Sequence, residues 1–522
     1  MKIKAMRRWS AALASVAIGA IALSGCFYAA IPEGAGTSGP SVIPTKAPVT
    51  DGVADELVSY YGQTLEWEVC DANEDMDCTM VQVPMNYADP AAGDIEIAVV
   101  RLRASYGHAQ GSLLMNPGGP GASGFDFVMT AATYVFSKEL RTEFDIIGFD
   151  PRGVGASTAV TCFDGAQMDS YLYDIPKNER GSDAWSAEVD ERAAEFAQAC
   201  TENTGELLEH ITTENSARDM DVLRGVLGDE TLNYIGFSYG TFLGATYAKL
   251  FPERAGRLVL DGAIDPAIPS ADVGKIQAVG FENALRAYMK GCLAAKDCPY
   301  SGDVDEALTD LSELLAELDA RPITIADGRK LGADSAFTGV VSAMYQQGWW
   351  PVLTQGLAEA EEGNGETLMY LADVYNGREG AELYSDNSTE AFNAYNCMDY
   401  PDDMTDAELD DVDAYVQKNA PTIAPYWSGG DTCAAWAYPP SGTRGAITAD
   451  GAAPILVVGT TNDPATPYEW AVSLAEQLSS GVLLTRVGEG HTAYGQGNSC
   501  IDDAVDTFLL EGTPPADQTT CK

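Results

Sequence analysis

Histidine is scarce in this chain, with three among 522 residues. No His-Glu-x-x-His occurs, and no Cys-x-x-Cys pair or Cys/His cluster has ligand spacing, which argues against a zinc peptidase and against structural zinc. Positive charge is also scarce: 30 Lys and Arg stand against 78 Asp and Glu, a formal net charge of −48. Such a surface repels polyanions, so it argues against nucleic acid and anionic membrane surfaces as partners. Its ordinary consequence is a soluble, self-repelling secreted protein. Past residue 26 no apolar run approaches the ~20 residues of a membrane span, and no internal repeat is present.

The start of the chain reads as an export signal. Lys2, Lys4, Arg7 and Arg8 precede the apolar run Ala11 to Leu23, which is short and rich in small residues. Leu23-Ser24-Gly25-Cys26 resembles a bacterial lipobox. The expectation is a signal peptide over 1–25, removed to leave a lipidated Cys26 that anchors the protein outside the cytoplasm. Residues 26–50 are rich in Pro, Gly, Ser, Thr and Ala and suit a flexible tether. Of 11 cysteines, all but Cys26 can pair, an even number that fits an oxidising compartment. Proximity suggests Cys70–Cys78, Cys162–Cys200, Cys292–Cys298, Cys397–Cys433 and Cys500–Cys521.

Strand-like runs alternate with helix-like ones. Ile95–Leu102, Ser112–Met115, Phe144–Phe149, Leu232–Gly236, Leu258–Leu260, Pro454–Val458 and Val482–Val487 read as strands of a mostly parallel sheet in an α/β protein. Between Asp265 and Asp450 the pattern turns helical, acidic and aromatic, as in Val304–Leu318 and Leu353–Glu362. The expected organisation is a sheet domain over 51–264, an inserted helical cap over 265–450, and a return to the sheet domain over 451–522. Trp349 and Trp350 belong mainly to the core of that cap, with lining of a substrate cleft as the alternative.

Gly236-Phe237-Ser238-Tyr239-Gly240 follows one strand-like run and opens the helix-like run Thr241–Leu250. A serine flanked by glycines at a strand-to-helix turn reads as a nucleophile elbow, which lifts the hydroxyl clear of the sheet. A serine needs a base, and a base needs an orienting acid. His491, in Gly488-Glu489-Gly490-His491-Thr492, leaves the carboxyl end of a strand, where open α/β sheets gather their chemistry. His210 precedes a helix-like run before the elbow, and His108 lies in a polar loop. Asp463 leaves the run Pro454–Gly459 and lies between serine and histidine in chain order. The order Ser238, Asp463, His491 is that of α/β-hydrolases. The oxyanion donors are expected to be the N–H of Tyr239 and that of Gly119 or a neighbouring glycine in Asn116-Pro117-Gly118-Gly119-Pro120-Gly121. The same loop matches G-x-G-x-x-G over 119–124. Its internal proline, and the absence of a ribose-binding acid at the end of a following strand, argue against a dinucleotide site.

Taken together, Asn116–Gly121, Phe149-Asp150-Pro151-Arg152-Gly153, Gly236–Thr241, Leu260-Asp261-Gly262 and Gly488–His491 resemble the secreted tripeptidyl aminopeptidases. These are bacterial relatives of the prolyl aminopeptidases in the α/β-hydrolase superfamily. The match covers both halves of the sheet domain and the cap only loosely. The resemblance implies a serine exopeptidase that acts on peptides with a free N-terminus, needs no cofactor or metal, and uses Ser238, Asp463 and His491 as its triad. Prolyl aminopeptidases carry His-Gly-Gly-Pro-Gly where this chain has Asn-Pro-Gly-Gly-Pro-Gly, which weakens the case for release of single prolines. Asp150 and Arg152 read as braces for the loop. An aminopeptidase must also hold an α-ammonium group, and Asp399, beside Cys397, is the candidate. The rival readings are an esterase or amidase on the same fold and a solute-binding lipoprotein.

Overall fold

The computed structural model describes residues 46–105, 109–400, 404–427 and 430–522. The export segment, Cys26, most of the tether and His108 lie outside the described residues. The main sheet is built from Glu68–Cys70 (β1), Asn73–Pro84 (β2), Asp94–Leu102 (β3), Gly111–Asn116 (β4), Phe144–Phe149 (β5), Leu232–Phe237 (β6), Ala255–Asp261 (β7), Ile455–Asn462 (β8), Gly481–Glu489 (β9) and Thr519–Cys521 (β10). Their order is β1-β2-β3-β5-β4-β6-β7-β8-β9-β10. The pairs up to β3–β5 are antiparallel, and every later neighbouring pair is parallel. The helices that bear on the site are Gly124–Val135 (α1), Thr213–Val226 (α2), Tyr239–Leu250 (α3), Ser270–Ala294 (α4), Val304–Ala320 (α5), Ala333–Met344 (α6), Trp350–Glu361 (α7), Glu366–Asn376 (α8), Ser388–Asp399 (α9), Tyr468–Gln477 (α10) and Ser499–Glu511 (α11).

The parallel strands are apolar on both faces because helices cover both. Successive residues divide between two cores, as the strand period of two requires. Leu113, Met115, Ile146, Val259 and Val458 pack with α1 and α11 on one face. Leu114, Ile147, Leu258, Leu260 and Val457 pack with α2, α3 and α10 on the other. The result is the mostly parallel, helix-flanked sheet of an α/β-hydrolase.

Of the antiparallel edge only β3 was legible. β2 opens Asn73-Glu74-Asp75-Met76-Asp77, a run whose acids read as loop. Its Asp77 is buried and paired with Arg101 at 2.7 Å, so tertiary pairing overrides local preference. β10 is only three residues long, too short to show a period. All five disulfides suggested by spacing are formed. A chain so cross-linked matures outside the reducing cytosol.

The segment between β7 and β8 is mainly helical and has its own core, made by Phe281 and Leu285 of α4, Leu311 and Leu315 of α5, Val340 of α6, Leu353 and Leu357 of α7, and Leu368 and Leu371 of α8. Its last part behaves differently. Ala391, Ala394, Tyr395 and Met398 of α9, with Trp436 and Ile447, pack into the sheet domain's core. Trp349 and Trp350 lie against the helical core, Trp350 edge-on to Tyr288 at 5.8 Å.

Candidate active site

Ser238 joins β6 to α3 with φ 54° and ψ −122°. A non-glycine residue is strained there, and such strain collects at functional turns. The turn is feasible because its neighbours lack Cβ atoms. A Cβ on Gly236 would lie 2.3 Å from the Gly240 carbonyl oxygen, and one on Gly240 would lie 2.8 Å from that of Asn116. Thr241 Oγ1 donates to the Ser238 carbonyl at 2.6 Å and accepts from Ile264 N–H at 2.9 Å, so the elbow is fastened to the chain leaving β7.

His491 leaves β9, with β7 and β8 lying between that strand and β6. Its loop must therefore fold back across the sheet edge. Asp261, the last residue of β7, makes this possible. Its carboxylate accepts the N–H groups of Ala493 at 3.0 Å and Tyr494 at 2.8 Å, while its backbone carbonyl accepts Ser238 N–H at 2.9 Å. The next residue, Gly262, sits so close to the imidazole that a Cβ on it would lie 3.2 Å from His491 Cε1. Serine and histidine are thus both held against one dipeptide, Asp261-Gly262.

Asp463 is buried and fully engaged. His491 Nδ1 lies 2.9 Å from each of its oxygens. The carboxylate also accepts from the N–H groups of Ala465 at 3.0 Å, Thr466 at 2.8 Å and Thr492 at 3.1 Å. A carboxylate only accepts when ionised, so the proton sits on Nδ1 and Nε2 is the basic nitrogen. Nε2 is buried and has no protein hydrogen bond, so the hydroxyl–imidazole bond is not formed here. Apo sites often close that bond only around substrate. Burial opposes a charged imidazole, but the charge and hydrogen bond of Asp463 and the charge of Asp261 outweigh it, and the net displacement of His491 is upward. Burial also pushes the Asp261 carboxyl up to about 6.

The glycine loop after β4 rests on the elbow. A Cβ on Gly118 would lie 2.9 Å from Ser238 Cβ and 3.2 Å from Tyr239 N. Gly118 N–H is already donated to Asn116 Oδ1 at 3.0 Å. Asp150 braces the far end of this loop: one oxygen accepts from Ser123 Oγ at 2.6 Å and Phe125 N–H at 3.1 Å, the other from Ala156 N–H at 2.8 Å. Arg152 is wholly buried, bidentate to Asp219 and bonded to the carbonyls of Pro84, Met85 and His210. His210 therefore contributes its backbone to a structural network.

Residues 420–521 match the family described as TAP-like protein. Over most of its length the chain is similar to three bacterial proteins. It is 36% identical to the serine protease Hip1 of Mycobacterium tuberculosis, covering 88% of this chain and 91% of that protein. It is 38% identical to carboxylesterase B of the same organism, covering 85% and 86%. It is 32% identical to the tripeptidyl aminopeptidase of Streptomyces coelicolor, covering 88% and 86%. The chain belongs to the TAP-like family of α/β-hydrolases. As a TAP-like protein it is a serine hydrolase of the protease and esterase kind.

In this TAP-like protein the helical segment reaches the histidine directly. The Tyr345 carbonyl accepts His491 N–H at 2.7 Å, and its ring stands edge-on to the imidazole at 5.4 Å. Tyr345 and Asp261 were both visible in the sequence as residues but not as site residues. The signal for Asp261 was there: an acid closing an apolar strand beside glycine, as near a strand end as Asp463. Nothing local marks Tyr345, whose contact spans 146 positions of the chain numbering. Thr466, with Oγ1 3.3 Å from His491 Nδ1, was likewise missed.

Asp399 is linked to the residue after the nucleophile through Thr213, whose Oγ1 lies 2.5 Å from the Tyr239 hydroxyl. It is buried at the N-terminus of α2, where Thr213 donates N–H at 3.0 and 3.2 Å and Oγ1 at 2.6 Å. Burial lifts it to about 6 despite these bonds. A carboxylate on the free N–H groups of a helix is favourable electrostatics and needs no ligand.

Proposed function

We propose that this protein is an exported, lipid-anchored serine exopeptidase that releases short peptides, tripeptides by preference, from free N-termini. The observation that carries the reading is that the strained Ser238 and the His491 imidazole are held against one dipeptide, Asp261-Gly262, with Nδ1 clamped by Asp463 and Nε2 without a protein partner. In the reaction, His491 Nε2 takes the Ser238 proton as Oγ attacks the scissile carbonyl carbon. Asp463 stabilises the imidazolium, and the N–H groups of Tyr239 and Gly119 hold the oxyanion. Collapse breaks the C–N bond, and His491 returns the proton to the leaving amine. Water, deprotonated by His491, then hydrolyses the acyl ester and restores the serine. The helical segment between β7 and β8 acts as a cap over this edge, since its Tyr345 already touches the histidine. Peptides are the substrates, and the lipid on Cys26 is the membrane attachment.

A similar protein is named a tripeptidyl aminopeptidase, which favours this reading. Another is named a carboxylesterase, which favours an esterase on the same triad. Mass spectrometry of the products from peptides with free and acetylated N-termini separates them. An exopeptidase trims only the free peptides, in steps of three residues, and Ser238→Ala abolishes this. Equal turnover of blocked and free substrates returns the assignment to esterase. Cys26→Ala should move the protein from the membrane fraction to the medium; continued membrane retention refutes the anchor.

A further inference from the structure

Resting on the reading of Ser238 as nucleophile, we propose that Asp399 is a positioning residue for the oxyanion hole, for amide and ester substrates alike. Through Thr213 it fixes Tyr239, whose backbone N–H receives the charge that develops as Ser238 attacks. Tyr239 is the first residue of α3, so its N–H has no acceptor within the helix. The glycine loop comes up to it, since a Cβ on Gly118 would lie 3.2 Å from Tyr239 N. The place of that N–H is set from two sides, by the strained turn at Ser238 and by the tyrosine's own side chain.

A directed chain of hydrogen bonds holds that side chain. Tyr239, Thr213 and Asp399 are all buried. Thr213 donates its hydroxyl proton to Asp399 Oδ2 at 2.6 Å. A threonine has one such proton, so at the 2.5 Å contact between Thr213 Oγ1 and the Tyr239 hydroxyl the phenol is the donor. Asp399 thus decides that Thr213 turns a lone pair towards Tyr239, and a buried phenol is costly without an acceptor. The three residues stand at the ends of three helices: Thr213 opens α2, Tyr239 opens α3 and Asp399 closes α9.

The same helix reaches the other side of the hole. Tyr395 of α9 lies against the Tyr239 ring at 5.6 Å. At the start of α9, a Cβ on Gly121 would lie 2.8 Å from the Ser388 carbonyl oxygen and 3.0 Å from Ala391 Cβ, so the glycine loop packs on the helix with no room for a side chain. α9 therefore bears on the glycine loop with its first turn and on Tyr239 with its last. Oxyanion donors stabilise the transition state to the extent that they are fixed before the charge develops, and a single helix of 12 residues braces both walls. Asp399 also accepts the N–H of Thr213, so capping of α2 is the role to be separated from positioning.

The test is a double-mutant cycle on kcat and KM in the intact protein, with a tripeptide p-nitroanilide and a p-nitrophenyl ester as substrates. Tyr239→Phe removes the phenol hydroxyl and keeps the backbone N–H; kcat should fall about tenfold with KM nearly unchanged, a part of the roughly 10²–10³ lost when an oxyanion donor is removed outright. Asp399→Asn should give the same split, because its amide N–H competes with Tyr239 for Thr213 Oγ1. The double variant should be no slower than the slower single one, since both changes break one chain. Losses that multiply would assign Asp399 to capping α2 and overturn the positioning role, as would an unchanged kcat in either folded single variant. If Asp399→Asn does not fold, Thr213→Val and Thr213→Ser decide: the chain requires a loss in the first that the second restores, and equal rates overturn it. Turnover that survives Ser238→Ala refutes the nucleophile itself, a failure distinct from these.

Discussion

Two regions of the molecule bury carboxylates, and they treat them oppositely. At the carboxyl edge of the sheet, Asp463 accepts from three backbone N–H groups and from the imidazole. At the start of α9, Glu390 is nearly as buried and has no partner from another residue. Saturation fixes geometry before substrate arrives, which an acid that orients a base requires. Asp261 lies between the extremes: one oxygen holds the histidine loop, and the other is buried and unpaired.

The largest effect should come from breaking the saturated side. Asp463→Asn keeps the shape but not the charge, so the favoured imidazole tautomer and the stabilised imidazolium are both lost. A fall in kcat of roughly 10³–10⁴ is expected, measured on an ester and a peptide with the fold checked by circular dichroism. A fall below tenfold would mean that another acid orients His491.

The smallest effect should come from Asp261→Asn, and its sign is set by charge. Anionic Asp261 favours the imidazolium and contributes to the upward displacement of His491. Neutralising it lets the imidazole lose its proton more readily, so the acid limb of the kcat/KM profile should move to lower pH, by less than about one unit. The amide can still accept from the N–H groups of Ala493 and Tyr494, which separates loss of charge from loss of the loop. An acid limb that stays in place or moves upward would assign Asp261 to holding the loop alone.

Legibility followed the range of the interaction. Ser238, Asp463 and His491 each leave the end of an apolar run, and the glycines beside the serine answer to contacts with the elbow and the neighbouring strand. Those signals are local, so the order of three distant residues could be read without coordinates. Asp399 shows the opposite case. Its place beside Cys397 suggested a held carboxylate, which it is, but Thr213, some 186 positions away, decides what it holds. Glu390 carried no local mark at all, because its burial is a property of the surroundings.

What the linear chain determined by itself was therefore the central strands, the strained serine turn and the chemistry of the three side chains, since backbone preference and apolar period act over a few residues. Only the folded molecule decided that Asp261 would tie the serine to the histidine loop and that Tyr345 would reach across from the helices. Those outcomes depend on which surfaces exclude water from one another, and no stretch of sequence contains that information alone.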